Sequence, residues 1–160
     1  MVGQPTSSST NVLATRAGPG GFLRAAGRFG ADLAGKIWAL PNTLIGGVVG
    51  LAGVPFGARI QFANNAIQFV DFPLGQAGEG LTLGNVQIFP AGTDPTTYSG
   101  FFCGSSAPIN IGLHEEGHTF QYQVFGPTFL PAYFLSGGIS ASNPFELAAN
   151  RYALGGSFFP

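Results

Sequence analysis

Both histidines of this 160-residue chain fall four residues apart in Ile111-Gly112-Leu113-His114-Glu115-Glu116-Gly117-His118, an H-E-x-x-H string. That spacing calls for a helix. Residues i and i+4 of an α-helix lie about 40° apart in rotation and roughly 6 Å apart along the axis, so two imidazoles on one face can meet one ion. The glutamate between them, Glu115, then stands where a general base beside a metal-bound water is needed.

The spacing predicts a helix running to about Phe125, capped by Asn110 or Ser106 and stopped by Gly126-Pro127. With His114 as origin, His118, Gln121 and Phe125 stay within about 40° of it and are expected to face a cleft. Leu113, Gly117, Phe120 and Val124 form the expected core face, and Glu116, Thr119 and Gln123 the expected solvent face. Glu115 falls at the margin of the cleft.

A catalytic zinc ion takes three protein ligands and keeps one open position. No third histidine exists, so the third ligand is sought among the seven acids and Cys103. Glu146 has the best context: Asn143 reads as an N-cap and Pro144 as the first residue of a helix reaching about Leu154. Ala149, Asn150 and Ala153 share the face of Glu146, and such small residues opposite Gly117 would let two helices approach closely. Asn150 is placed to accept the outward N–H of a ligating histidine. Asn143-x-x-Glu146 also fits a capping box that needs no metal, and Cys103 and Asp94 remain the other candidate ligands.

Only 8% of the residues are charged against 45% hydrophobic, so solubility does not rest on a charged shell and part of the surface is expected to meet a partner or lipid. Six basic and seven acidic residues form no basic stripe, which argues against nucleic acid. The lone cysteine leaves no disulfide within the chain. Met1 to Gly21 reads as a flexible lead-in without the pattern of an ordinary cleaved signal peptide, with export by another route left open. Phe22 to Leu40 reads as an amphipathic helix ended before Pro41. The 22 uncharged residues 37–58 are long enough to cross a bilayer, but Pro41, Asn42, Pro55 and the glycines weaken that reading against a membrane-surface element, a partner-binding element or plain core. Arg59 to Phe72 predicts a hairpin about Asn64-Asn65, and Leu81 to Phe89 a further strand.

With these residues assembled, the C-terminal part resembles the gluzincins, zinc peptidases that pair H-E-x-x-H with a glutamate in E-x-x-x-D on a later helix. The matching residues are His114, Glu115, His118 and Glu146, with Asn150 at the aspartate position. More narrowly, HEEGHTFQYQVFGPTFLPAYFLSGG followed by NPFELAAN is similar to a group of small bacterial proteins. The resemblance implies a zinc-activated water with Glu115 as general base, a peptide lying along the strand Leu81 to Phe89, and a tyrosine as oxyanion partner, Tyr133 or Tyr152.

The expectation is an α+β chain. Residues 22–160 form one minimal zincin-like domain, with a small, twisted, mostly antiparallel sheet packed on the H-E-x-x-H helix and a C-terminal helix carrying Glu146. The expected activity is zinc-dependent hydrolysis of peptide bonds. The alternatives are a zinc-stabilised interaction or membrane-associated module that cuts nothing, and a secreted effector or toxin domain.

Overall fold

The computed structural model describes residues 19–99, 105 and 107–160, and the chain clusters into two units, residues 1–31 and 32–160. Of the expected lead-in, residues 1–18 lie outside the described residues, as do Cys103 and Ser106. Pro19, Gly20 and Gly21 instead open helix α1 (Pro19–Trp38). The helix ends ahead of Pro41 as expected, and Leu33, Ile37 and Trp38 near its end stay about half exposed.

Helical structure resumes at once, because proline in a first helical turn lacks an N–H that would be unpaired there anyway. Helix α2 (Leu40–Gly53) thus starts with Pro41 in its first turn. Gly46, Gly50 and Gly53 recur at i, i+4 and i+7 and are buried. A Cβ at these positions would overlap Leu83 and Val86, the Phe69 ring, and the Phe72 ring respectively. A glycine stripe therefore lets the backbone of α2 lie directly on a sheet. Among the described residues no single helix is long and apolar enough to cross a membrane.

That sheet is mixed, in the order β1-β2-β4-β3, with β1 (Arg59–Ala63), β2 (Ala66–Phe72), β3 (Leu81–Leu83) and β4 (Val86–Pro90). The expected hairpin about Asn64-Asn65 is present, both turn residues taking positive φ (48° and 56°) as a two-residue turn of this kind requires. The parallel β2–β4 pairing makes the sheet mixed, while the two outer pairings are antiparallel. Leu81 to Phe89 is not one strand. Gly84, at φ 65°, turns the chain so that β3 and β4 pair as a hairpin.

The two sheet faces differ in chemistry. Ile67, Phe69, Phe72, Val86 and Ile88 form the apolar face under α2. The other face carries a directed row of amides: Gln61 Nε2 donates to Gln68 Oε1 (2.7 Å), and Gln68 Nε2 to Gln87 Oε1 (2.8 Å). Gln87 Nε2 then donates to Thr119 Oγ1 (2.9 Å) on helix α3 (Ile111–Phe125). Gln68 and Gln87 are fully buried, and the row satisfies them without water.

Thr119 therefore faces the sheet and not solvent, and Val124, expected in the core, is exposed. The helical period was right, but the sheet presents buried amides, so it takes the polar side of α3. Of the expected core face, Gly117 packs on Ala149, and Phe120 on the rings of Tyr152 and Phe158. Ala39, Tyr122, Phe129, Tyr133 and Phe145 form a core cluster, with Tyr122 and Phe129 rings 4.2 Å apart and Phe129 and Phe145 rings 5.2 Å apart. Phe129 and Tyr133 belong to a short helix that sequence periodicity did not reveal, α4 (Phe129–Leu135), entered through the turn Gly126–Thr128. The last helix, α5 (Pro144–Ala153), matches expectation.

Candidate metal centre

Two capped helices build the site. Asn110 accepts the Leu113 N–H at 2.9 Å and starts α3, which settles the choice of cap. Asn143 accepts the Phe145 N–H at 3.0 Å and starts α5. The helices touch at Gly117, where any Cβ would meet the Ala149 Cα at 3.1 Å. This close approach brings residues 28 or more positions apart in sequence onto one point.

At that point His114 Nε2 and His118 Nε2 stand 3.1 Å apart, and Glu146 Oε2 lies 3.2 Å from the first and 3.5 Å from the second. The rings are nearly perpendicular, at 82°. All three side chains are buried. Glu146 is not a capping-box residue: the Asn143 N–H donates to Ser140 O at 2.9 Å, and both carboxylate oxygens of Glu146 are used elsewhere.

Hydrogen bonds around the site set which ring atoms face inward. His114 Nδ1 meets Asn150 Oδ1 at 2.9 Å, the contact expected from sequence. His118 Nδ1 meets Gln121 Oε1 at 2.8 Å. The amide of Gln121 cannot turn over, because its Nε2 donates to Phe145 O and Phe158 O. The Gln121 contact therefore places an N–H on His118 Nδ1, while the Nε2 atoms of both rings face Glu146 Oε2. Tyr133 donates its hydroxyl to Glu146 Oε1, leaving Oε2 toward the histidines. Gln121 was placed on the cleft face by periodicity, but its role as partner of His118 had no signal in the sequence.

Two imidazoles and a carboxylate converge in this buried place, and their pairing shifts the titration of Glu146 and His118. Burial opposes ionisation of Glu146, yet hydrogen bonds from His114 and His118 and their charge hold its carboxyl far below the usual range. Burial likewise opposes charging His118, but the bond to Glu146, the charges of Glu115 and Glu146 and the Gln121 contact outweigh it and raise its pKa. His114, His118 and Glu146 form a group that could hold a metal ion. Asp94 does not join it: it is exposed and accepts from Thr96 within its own loop.

Glu115 is buried beside this group and lines the same cleft. Thr82 Oγ1 donates to Glu115 Oε2 at 2.6 Å and reaches the Glu115 carbonyl at 3.1 Å. Gly80 has no side chain because a Cβ there would overlap the Glu115 carboxylate. Strand β3 thus fixes the glutamate, a contact with no trace in the motif. The cleft, of about 450 Å³, runs between β3 and helix α4 and is walled by Leu81, Leu83, Tyr122, Phe129, Leu130, Phe134 and Ile139. Tyr152 lies elsewhere, donating to Glu116 Oε2 at 3.0 Å, so of the two tyrosines considered only Tyr133 reaches the site.

The fold and site define an α+β chain with a buried His–His–Glu group able to hold a metal ion. The chain matches no protein-family model, no curated protein and no solved structure.

Proposed function

We propose that the protein is a small zinc-dependent metallopeptidase in which His114, His118 and Glu146 hold the ion and Glu115 is the general base. The observation that carries this reading is the triangle of 3.1, 3.2 and 3.5 Å between the three candidate ligand atoms. Ligands about 2.0–2.1 Å from a tetrahedral zinc stand roughly 3.3 Å from one another, so the triangle has the size of one face of that tetrahedron. The Nδ1 contacts with Asn150 and Gln121 support it further, since ligating histidines ordinarily hold their outer ring nitrogen on such a partner.

Zinc held by His114, His118 and Glu146 would supply a bound water of lowered pKa and a Lewis acid for a carbonyl. Glu115, held by Thr82, takes the proton from the attacking water and passes it to the leaving amine. Tyr133 holds Glu146 in the resting site and is the candidate donor to the developing oxyanion. Strand β3 is a sheet edge along the cleft, where an extended peptide can add as a further strand and place alternate side chains against the apolar wall.

The second reading is a zinc-stabilised module that cuts nothing. It draws on Asn150, which offers His114 an uncharged amide oxygen where the gluzincin pattern has a carboxylate. Metal analysis of the wild type, Glu146→Ala and Glu115→Gln, together with cleavage of a mixed peptide library, separates the readings. A peptidase binds one zinc per chain, loses it in Glu146→Ala, and in Glu115→Gln keeps it while turnover falls by about 10²–10⁴. Equal zinc in wild type and Glu146→Ala would end the ligand assignment, and zinc without cleavage in the wild type would favour the module.

A further inference from the structure

We propose that the outer face of α2 docks onto a lipid bilayer, lying in the plane of the membrane surface without crossing it. The inference is independent of the peptidase reading. With the glycine stripe turned to the sheet, Leu44, Ile45, Val48 and Leu51 stand outward at 67%, 53%, 70% and 57% exposure. Phe56 continues this apolar surface beyond the helix, at 75% exposure. At the other end Ile37, Leu40 and Phe62 border one groove.

What selects lipid as the occupant is the complete absence of outward polar groups on the side chains of this helix. Its two polar side chains both turn inward. Asn42 Nδ2 donates to Gly126 O at 3.0 Å, and Thr43 Oγ1 donates to Ala39 O at 2.9 Å while accepting from Asn85. No charged residue occurs between Lys36 and Arg59. A protein partner or a second copy of the chain would bring a polar rim and about one hydrogen bond per 100–200 Å². Hydrocarbon asks for none and penalises any unmet group.

Geometry and charge refine the mode of docking. The 14 residues of α2 rise only about 21 Å, short of the roughly 30 Å hydrocarbon core, so the helix suits the interface and not a crossing. The two flanking cations are already paired, Lys36 with Asp32 at 2.8 Å and Arg59 with Asp71 at 2.5 Å. Apolar burial, not attraction to anionic headgroups, therefore drives binding, and salt has little effect. Trp38, the single tryptophan, is half exposed just ahead of α2, where interfacial aromatic side chains sit in membrane-bound proteins. The H-E-x-x-H helix packs on the opposite sheet face, so docking leaves the metal centre on the side away from the lipid.

The test is flotation of the full chain with vesicles of phosphatidylcholine, alone or with added phosphatidylglycerol, at low and high salt. The wild type is expected to float with both at either salt concentration, with a blue shift of Trp38 emission. The double variant Leu44→Glu, Val48→Glu changes two outward side chains, so it keeps the wild-type circular dichroism while its partitioning falls roughly tenfold or more. Wild type left in the soluble fraction with both vesicles, or a double variant that floats equally well, overturns the proposal. Binding that needs phosphatidylglycerol and vanishes in salt overturns the apolar mechanism. A wild-type dimer that the double variant turns into monomer assigns the face to a second copy instead.

Discussion

His114 Nε2 and His118 Nε2 stand 3.1 Å apart, although each ring directs its Nδ1 at a side-chain amide oxygen, of Asn150 and of Gln121. Both Nε2 atoms converge with Glu146 Oε2 on one point, where a proton shared with the carboxylate or a metal ion can join them. Outer contacts with Asn150 and Gln121 hold the rings in this arrangement, in which the group could hold a metal ion.

Zinc binding should therefore act on folding as well as on chemistry. At a free zinc concentration about a thousandfold above Kd, linkage gives roughly 4 kcal/mol of added stability, a rise in Tm of roughly 8–16 °C for a chain of this size. Calorimetry of the metal-free chain over a zinc series measures it. A midpoint indifferent to zinc would sink the metal assignment.

On the zinc reading, Asn150 is expected to tune the affinity. Asn150→Ala removes the acceptor for His114 Nδ1 and is expected to weaken zinc binding about 10–100-fold, whereas Asn150→Asp supplies a charged acceptor and should tighten it. Competition with a zinc indicator gives both constants. Equal affinities in all three proteins would show that Asn150 does not act through the histidine.

The glycine stripe of α2 makes a paired prediction. Gly50→Ala forces a methyl into the Phe69 ring and should cost about 1–3 kcal/mol. Gly47→Ala, three residues earlier on the same helix, meets nothing within 4 Å and should gain about 0.5–1 kcal/mol from helix propensity. Urea unfolding of both variants checks the sign at each position, and a Gly50→Ala as stable as wild type would refute the close packing of α2.

Asn143 does more than cap α5. Its Nδ2 also donates to Tyr133 O at 3.1 Å and Gly138 O at 2.7 Å, tying the end of α4 to the start of α5. Asn143→Asp keeps the cap but turns a carboxylate on two carbonyls, so a loss of at least about 2 kcal/mol is expected. Because α4 carries Tyr133 to Glu146, zinc affinity should fall with it. Wild-type stability in this variant would mean that the cap alone matters.

The sequence by itself determined whatever depends on neighbours within about four residues. Helical spacing put His114 and His118 on one face, Asn143 and Pro144 announced the helix that carries Glu146, and Asn64-Asn65 announced the hairpin. Glu146 and Asn150 could be named because helix α5 places them on one face. Tertiary structure alone decided whether Glu146 serves the helix end or the histidines. The Asn143 N–H had to find Ser140 O, and Gly117 had to meet Ala149, before the two helices could close on one point. The same holds for Gln121, Thr82 and the buried glutamines of β2 and β4. Their partners lie on other elements, and a side-chain amide or hydroxyl carries no mark in the sequence of the distant group it will satisfy.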